Sequence, residues 1–216
     1  MRVLHSSDLH GGYPALQGVE ADFDVWLDTG DFFPNLAGPA GPVDADEEVA
    51  FQRRWMAGAP DLAGRIAIWL AGRPALIMPG NHDYVDLAGA VRDAGARAIE
   101  VVPRGVELLG LRWAGFRQVK WMDGTWNGET ADFSEVVSQT FLNEPDVLVT
   151  HGPPAGLLES ELGYGISALR DALQQSTRIR THFFGHDHRT GGMSTEAFGI
   201  RFYNGAKSVR MVEIQG

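Results

Sequence analysis

The 216-residue sequence contains no cysteine, which excludes a disulfide scaffold and any cysteine-based metal or nucleophile chemistry. It also lacks a run of eighteen apolar residues. The apolar stretch Phe32 to Val43 is broken by Asn35, three prolines and two glycines, so no membrane span is expected. Positive charge is scarce: 18 Lys and Arg stand against 28 Asp and Glu, a net charge of −10 with histidine neutral. Sequence-independent nucleic-acid affinity comes from cations along the phosphates, so an extended nucleic-acid partner is not expected. Met1 to Ser7 holds one basic residue and too few apolar ones for a secretory signal, and the chain reads as cytoplasmic.

What is present is an ordinary globular composition, 44% hydrophobic and 21% charged, for which one domain over residues 1–216 is expected. A chain of this size buries roughly 70% of its unfolded surface, enough for a core that needs no metal to fold. A bound metal would therefore serve chemistry. The apolar runs Arg2 to Ser6, Asp24 to Leu27 and Ala75 to Met78 read as buried strands. Between the second and third, Asp46 to Leu70 fits two helices, with Pro60 and Asp61 opening the second, and this strand–helix alternation predicts βαβ units. Tyr84 to Gly95, Asp132 to Leu142 and Ser167 to Gln175 read as helices, and Val147 to Thr150 and Thr181 to Phe184 as strands. Short runs at Ile99 to Val102, Val106 to Leu109 and Leu111 to Gly115 suggest a hairpin-rich second half. Gly199 to Tyr203 and Ser208 to Ile214 alternate as sheet edges do. Pro34 to Pro42 is a loop, read equally as a lid or a connector. Phe116 to Glu129, with Trp121 and Trp126, has no period; a surface loop stapled by its own tryptophans is favoured over one that overhangs a site.

Chemistry concentrates where apolar runs end: Asp8-Leu9-His10, Gly30-Asp31, Gly80-Asn81-His82-Asp83, His151-Gly152 and Gly185-His186-Asp187-His188. In α/β folds the loops at the carboxyl ends of strands converge, so five such loops can meet in one cleft. The i, i+2 spacing of Asp8 with His10, and of His186 with His188, lets each pair address one cavity. Asp8, His10, Asp31, Asn81, His151, His186 and His188 make seven oxygen and nitrogen donors, too many for one ion and suitable for two. A mixed N/O set with a shared carboxylate suits Mn, Fe, Zn, Co or Ni better than Mg or Ca. Two such ions roughly 3.5–4 Å apart would bridge a hydroxide and clamp an in-line displacement at phosphorus. His5 and His182 lie inside strands and read as core residues or as groups behind the ligands rather than as ligands, Asp83 as a cap of the following helix, and Asp28 as a group behind the ligands or simply a polar strand end.

In this order, the motifs from Asp8 to His188 resemble those of the calcineurin-like metallophosphoesterase superfamily. Val147 to Pro154, Phe183 to His186 and Phe202 to Ala206 are further similar to a small subgroup of metallophosphoesterase-domain-containing proteins. The resemblance implies a single-domain, four-layer αββα sandwich with two divalent transition-metal ions, manganese favoured. Site one would take Asp8, His10, a bridging Asp31 and His188; site two would take Asp31, Asn81, His151 and His186. His82 would be the catalytic residue, contacting the phosphate or protonating the leaving oxygen. After Asp31 the chain departs from the common Gly-Asp-x-x-Asp-Arg pattern and reads Phe32-Phe33-Pro34-Asn35-Leu36. The carboxylate that would orient the histidine and the arginine that would grip a dianion are both missing from their usual places.

The leading expectation is a metal-dependent phosphodiesterase acting on a small phosphoester substrate, with a cyclic nucleotide as first candidate. Two divalent ions, two aspartates and a bridging hydroxide leave a formal charge of about +1, which a monoanionic diester balances and a dianionic monoester exceeds. Arg117, Lys120 or Arg189 folding into the cleft would alter that balance. A nuclease or nucleotide phosphomonoesterase would use the same site. A non-catalytic protein-binding scaffold of this fold would have lost ligands, and here none is missing.

Overall fold

The computed structural model describes residues 1–13, 16, 19, 22–36, 44–58 and 61–215. Most of the proline-rich loop (37–43) and Pro60 lie outside these described residues. The strands in chain order are β1 (Arg2–Ser7), β2 (Val25–Asp28), β3 (Ala75–Ile77), β4 (Ala98–Glu100), β5 (Val106–Leu108), β6 (Leu111–Phe116), β7 (Val119–Lys120), β8 (Glu129–Thr130), β9 (Val147–Thr150), β10 (Thr181–Phe184), β11 (Ser194–Ala197), β12 (Ile200–Asn204) and β13 (Ser208–Glu213). The α-helices are α1 (Ala45–Gly58), α2 (Leu62–Leu70), α3 (Leu87–Asp93), α4 (Ser134–Leu142) and α5 (Ser167–Gln175). One sheet runs β13-β1-β2-β3-β4 and a second runs β11-β12-β10-β9-β6-β5.

Alternation of side chains along the strands produces the layers. Val3, Val25, Leu27 and Leu76 of the first sheet meet Trp113, Val147, Val149 and Phe183 of the second in a core between the sheets. Their neighbours Leu4, Trp26, Ala75 and Ile77 face outward and pack on α2 and α3 through Leu62, Ile66, Leu70, Leu87 and Val91. On the far side Leu148, Phe184 and Phe202 pack on Val137 of α4 and on Leu169 and Leu173 of α5. Three apolar clusters separating helix, sheet, sheet and helix make the four-layer αββα sandwich.

The central strands β1 to β4 are parallel, as are β6, β9, β10 and β12; hairpins close the edges at β5–β6 and β11–β12. The hairpin expectation thus holds for β5–β6, while Ala98–Glu100 is a parallel edge of the first sheet. The last strand is integral: β13 pairs antiparallel with β1 over six residues, Arg2 opposite Glu213 through Ser7 opposite Ser208. Helix α1 starts at Asp44, whose carboxylate accepts from the amides of Asp46 and Glu47, and α2 at Asp61, which accepts from Gly64 N. Helix α3 begins later than expected, at Leu87, because Asp86 and not Asp83 caps it, accepting from Gly89 N at 2.7 Å. Among the described residues no helix is long and apolar enough to cross a membrane.

Candidate active site

The five polar motifs follow the carboxyl ends of β1, β2, β3, β9 and β10, parallel strands within their sheets, and the two sheets are stitched together there. His186 N donates to Asp8 Oδ2 at 2.9 Å, and the His151 ring nitrogen Nδ1 lies 2.7 Å from the carbonyl of Thr29. Glycine is needed at the seam. A Cβ on Gly30 (φ +109°) would lie 2.6 Å from both Gly80 Cα and His151 Nδ1. Asp8, His10, Asp31 and His186 themselves adopt left-handed conformations (φ 53°, 43°, 56° and 68°). Non-glycine residues occupy that region at a cost of about 1 kcal/mol or more each, and such strain concentrates at functional sites.

Two donor groups result. In one, Asp8, His10 and His188 bring ligand atoms within 4.8 Å of one another, with His188 Nε2 2.9 Å from Asp8 Oδ1. In the other, Asp31, His151 and His186 do the same, with His151 Nε2 3.2 Å from Asp31 Oδ2 and 3.0 Å from Asn81 Oδ1. The seven candidate donors therefore meet in one place. The set fits divalent ions that accept nitrogen and oxygen. His186 Nε2 is buried without a hydrogen-bond partner, a lone pair of the kind a cation takes up.

Electrostatics agree with closely packed ligands. Burial pushes the Asp31 carboxyl up, but the charges of His151, His82 and His10 outweigh it and hold it well below the usual carboxylate range. Asp8 is likewise lowered, burial being overcome by the hydrogen bond from His188 and the charge of His151. Burial lowers His151 too, yet its two aspartate neighbours carry it up to about 9, so without metal its proton offsets one of the two carboxylate charges. Burial takes His186 down to about 4, leaving it neutral.

His82 stands outside both groups and between them. Its backbone N–H donates to Asp31 Oδ1 at 2.8 Å, its Nε2 lies 4.0 Å from Asp31 Oδ2, and its ring meets that of His10 edge-on at 5.1 Å. The partner missing from the sequence pattern is Asn35: its Oδ1 is 2.7 Å from His82 Nδ1. An amide one residue beyond the expected carboxylate was the available signal. Because that oxygen only accepts, Nδ1 carries the proton and Nε2 faces the cleft. One face of the ring is covered by Trp126 at 4.0 Å between centroids, and Trp126 is buried. The loop does overhang the site through Trp126, whereas Trp121 is exposed and packs over Gly124.

Asp83 is a buckle and not a cap: Oδ2 accepts from the amides of Asp31 and Gly80, both at 2.8 Å, and Oδ1 from Phe33 N at 3.1 Å. Nothing in its spacing distinguished the two roles. Asp28 accepts from Ser6 Oγ and Gly30 N, and burial raises its carboxyl well above the usual range. Asp187 is buried, accepting from Ser160 N and Arg189 N. His5 and His182 lie apart in the core, each ring on a threonine hydroxyl. The three nearby cations have other partners: Arg117 on the carbonyls of Gly80 and Asp83, Lys120 on that of Gly163, and Arg189 on the carboxylate of Glu161.

No curated protein matches the chain. Among solved structures it is similar to the calcineurin-like phosphoesterase YfkN from Bacillus subtilis, at 14% identity and a TM-score of 0.47, covering 94% of this chain and 80% of that one. It is also similar to the Thermus thermophilus sulfate thiohydrolase SoxB in complex with glycerol, at 12% identity and a TM-score of 0.48; there 97% of this chain spans 53% of the other. The calcineurin-like phosphoesterase family matches residues 1–190, nearly the whole chain and every motif from Asp8 to His188, and the chain belongs to that family.

Proposed function

We propose that the chain hydrolyses a small phosphodiester. Asp8, His10 and His188 would hold one divalent transition-metal ion and Asn81, His151 and His186 a second, with Asp31, which lies beside His151 and His186, serving both. When bound, such ions supply Lewis-acid charge to the phosphoryl oxygens and lower the pKa of water. The chain's residues supply position and a proton. Asn35 accepts from His82 Nδ1–H and leaves Nε2 toward the cleft. Burial lowers the pKa of the ring while the charge of Asp31 favours its protonated form, and when that form is present its Nε2–H proton passes to the departing oxygen as the P–O bond breaks, returning the ring to neutral. Trp126 shields the ring from water on one face.

The observation that carries the diester reading is that the place where the family pattern has its arginine holds Asn35, whose side chain is taken up by His82. Without a guanidinium at that position, the second negative charge of a monoester lacks its direct partner where the dielectric is low. The test compares kcat/KM for mono- and bis-nitrophenyl phosphate at one pH and metal loading. Diester turnover at least equal to that of the monoester is expected, and a tenfold or greater preference for the monoester would overturn the reading.

A further inference from the structure

Helix α1 buries two polar side chains one turn apart, Glu48 (1% exposed) and Gln52 (fully buried), on a face that continues into the apolar Trp55 and Met56. A buried amide is costly unless its hydrogen bonds are made, so its partners indicate its use. Gln52 Oε1 accepts from Tyr84 N at 2.9 Å, and Nε2 donates to the carbonyl of His82 at 2.6 Å and reaches that of Pro34 at 3.4 Å. The amide orientation is fixed by chemistry, since a backbone N–H can only donate and a carbonyl can only accept. One turn earlier, both Glu48 carboxylate oxygens accept from Leu36 N, at 3.0 and 3.1 Å. The helix therefore grips the backbone on both sides of Asn35 and across His82 to Tyr84, the two segments whose side chains form the 2.7 Å bond between Asn35 and His82.

We propose that Gln52 is a positioning residue for His82, fixing the distance between the Pro34–Leu36 and His82–Tyr84 segments so that Nε2 points at the leaving oxygen. This builds on the role given to His82 above. Among the described residues the hydrogen bonds of Gln52 go to the backbone of Pro34, His82 and Tyr84 and to none of the seven candidate donors, so its loss should spare metal binding and act on proton delivery alone. Misplacement of a reacting group by an ångström costs up to about 100-fold.

The experiment uses the metal-loaded full chain with two diesters, one with a good and one with a poor leaving group, and the variants Gln52→Met, Gln52→Glu, His82→Asn and the double variant Gln52→Met/His82→Asn. Gln52→Met keeps the shape and removes both hydrogen-bonding functions. Gln52→Glu keeps the acceptor for Tyr84 N and removes the donor to His82. Expected for Gln52→Met is a kcat loss of roughly 10- to 100-fold on the poor leaving group, less than about threefold on the good one, with KM and metal content near wild type. In the His82→Asn background the same change should cost less than about twofold, because its effect passes through the imidazole. Should Gln52→Met fail to fold, Gln52→Glu carries the test: its carboxylate still accepts from Tyr84 N but meets the His82 carbonyl with no proton to donate, and the same leaving-group dependence is expected. Equal losses on both esters, loss of metal, or an undiminished effect in the double variant would overturn the proposal. If His82→Asn cripples turnover and neither Gln52 variant does, the Gln52 proposal alone falls; if His82→Asn leaves turnover intact, the reading of His82 falls and takes this one with it.

Discussion

The two donor groups use similar ligands in different surroundings. Asp31 and His151 are sealed among strand ends, with His186 9% exposed, whereas Asp8 is buried but His10 is half-buried and His188 opens to solvent. The sealed half is held by backbone as well as by side chains, through Thr29 O on His151 and through Gly80 and Asp83 around Asp31. Its histidines are driven apart, one to about 9 and one to about 4. A shared ligand type thus gives one rigid, desolvated half and one half that a phosphate and water can reach.

Breaking the group proposed to join the halves should have the largest effect. Asp31→Asn removes the charge that faces His151, His82 and His10. The expected result is loss of more than one equivalent of metal by elemental analysis together with loss of turnover. Loss of a single equivalent would show that the carboxylate serves one half only. Next in size, His82→Asn should lower kcat on a poor leaving group by roughly 10²- to 10⁴-fold while metal content stays unchanged. If metal leaves with activity, His82 is a ligand.

The contrast between the halves themselves predicts a difference in ion release. A solvent-facing ligand such as His188 offers a chelator a path that the enclosed His186 does not. Metal loss to a chelator should be biphasic, one equivalent leaving about tenfold faster than the other, and His188→Ala should accelerate only the fast phase. A single phase for both equivalents would mean that burial does not separate the halves.

The sheets and the donor set were legible because both are written in local signals. Apolar runs that end in Gly, Asp or His mark strand ends, and in a parallel α/β fold those ends share a side. Val147–Thr150 and Thr181–Phe184 fall where the sequence puts them. Partnerships made by tertiary approach were not legible. Asn35 meets His82 across 47 positions and Asp83 reaches Asp31 across 52, so neither pairing has a spacing to read. Gln52 was hidden for another reason: in a helix beginning with three acidic residues, a glutamine looks like solvent-facing surface until the packing turns it inward. Trp126 and Trp121 share one aperiodic segment, and it is tertiary hydrogen bonds, those of Asn127 to the Asn81 and Asp83 carbonyls among them, that bring Trp126 over the site.

Histidine itself supplies the smallest and most quantitative test. His151 and His182 are both fully buried on adjacent strands or strand ends, yet His151 is carried up to about 9 by carboxylates, while His182, with only Thr150 Oγ1 on Nε2 and phenylalanine rings around it, is pushed by burial down to about 3. His5 behaves as His182 does, at about 3, chiefly through burial and then the charge of Arg210. Both core rings stay neutral in the folded state where the unfolded chain binds protons below its ordinary value near 6.5. Stability is therefore unaffected above that pH and falls as pH drops from 6.5 toward 3, by up to about 1.4 kcal/mol per unit for each ring. Denaturant midpoints of wild type and His182→Gln, taken at pH 7.5 and 5 with a chelator in both, should isolate one ring. Going from pH 7.5 to 5, the variant should lose about 2 kcal/mol less than wild type. Equal losses would mean that His182 is already protonated in the fold, and the distinction between core and site histidines would then rest on position alone.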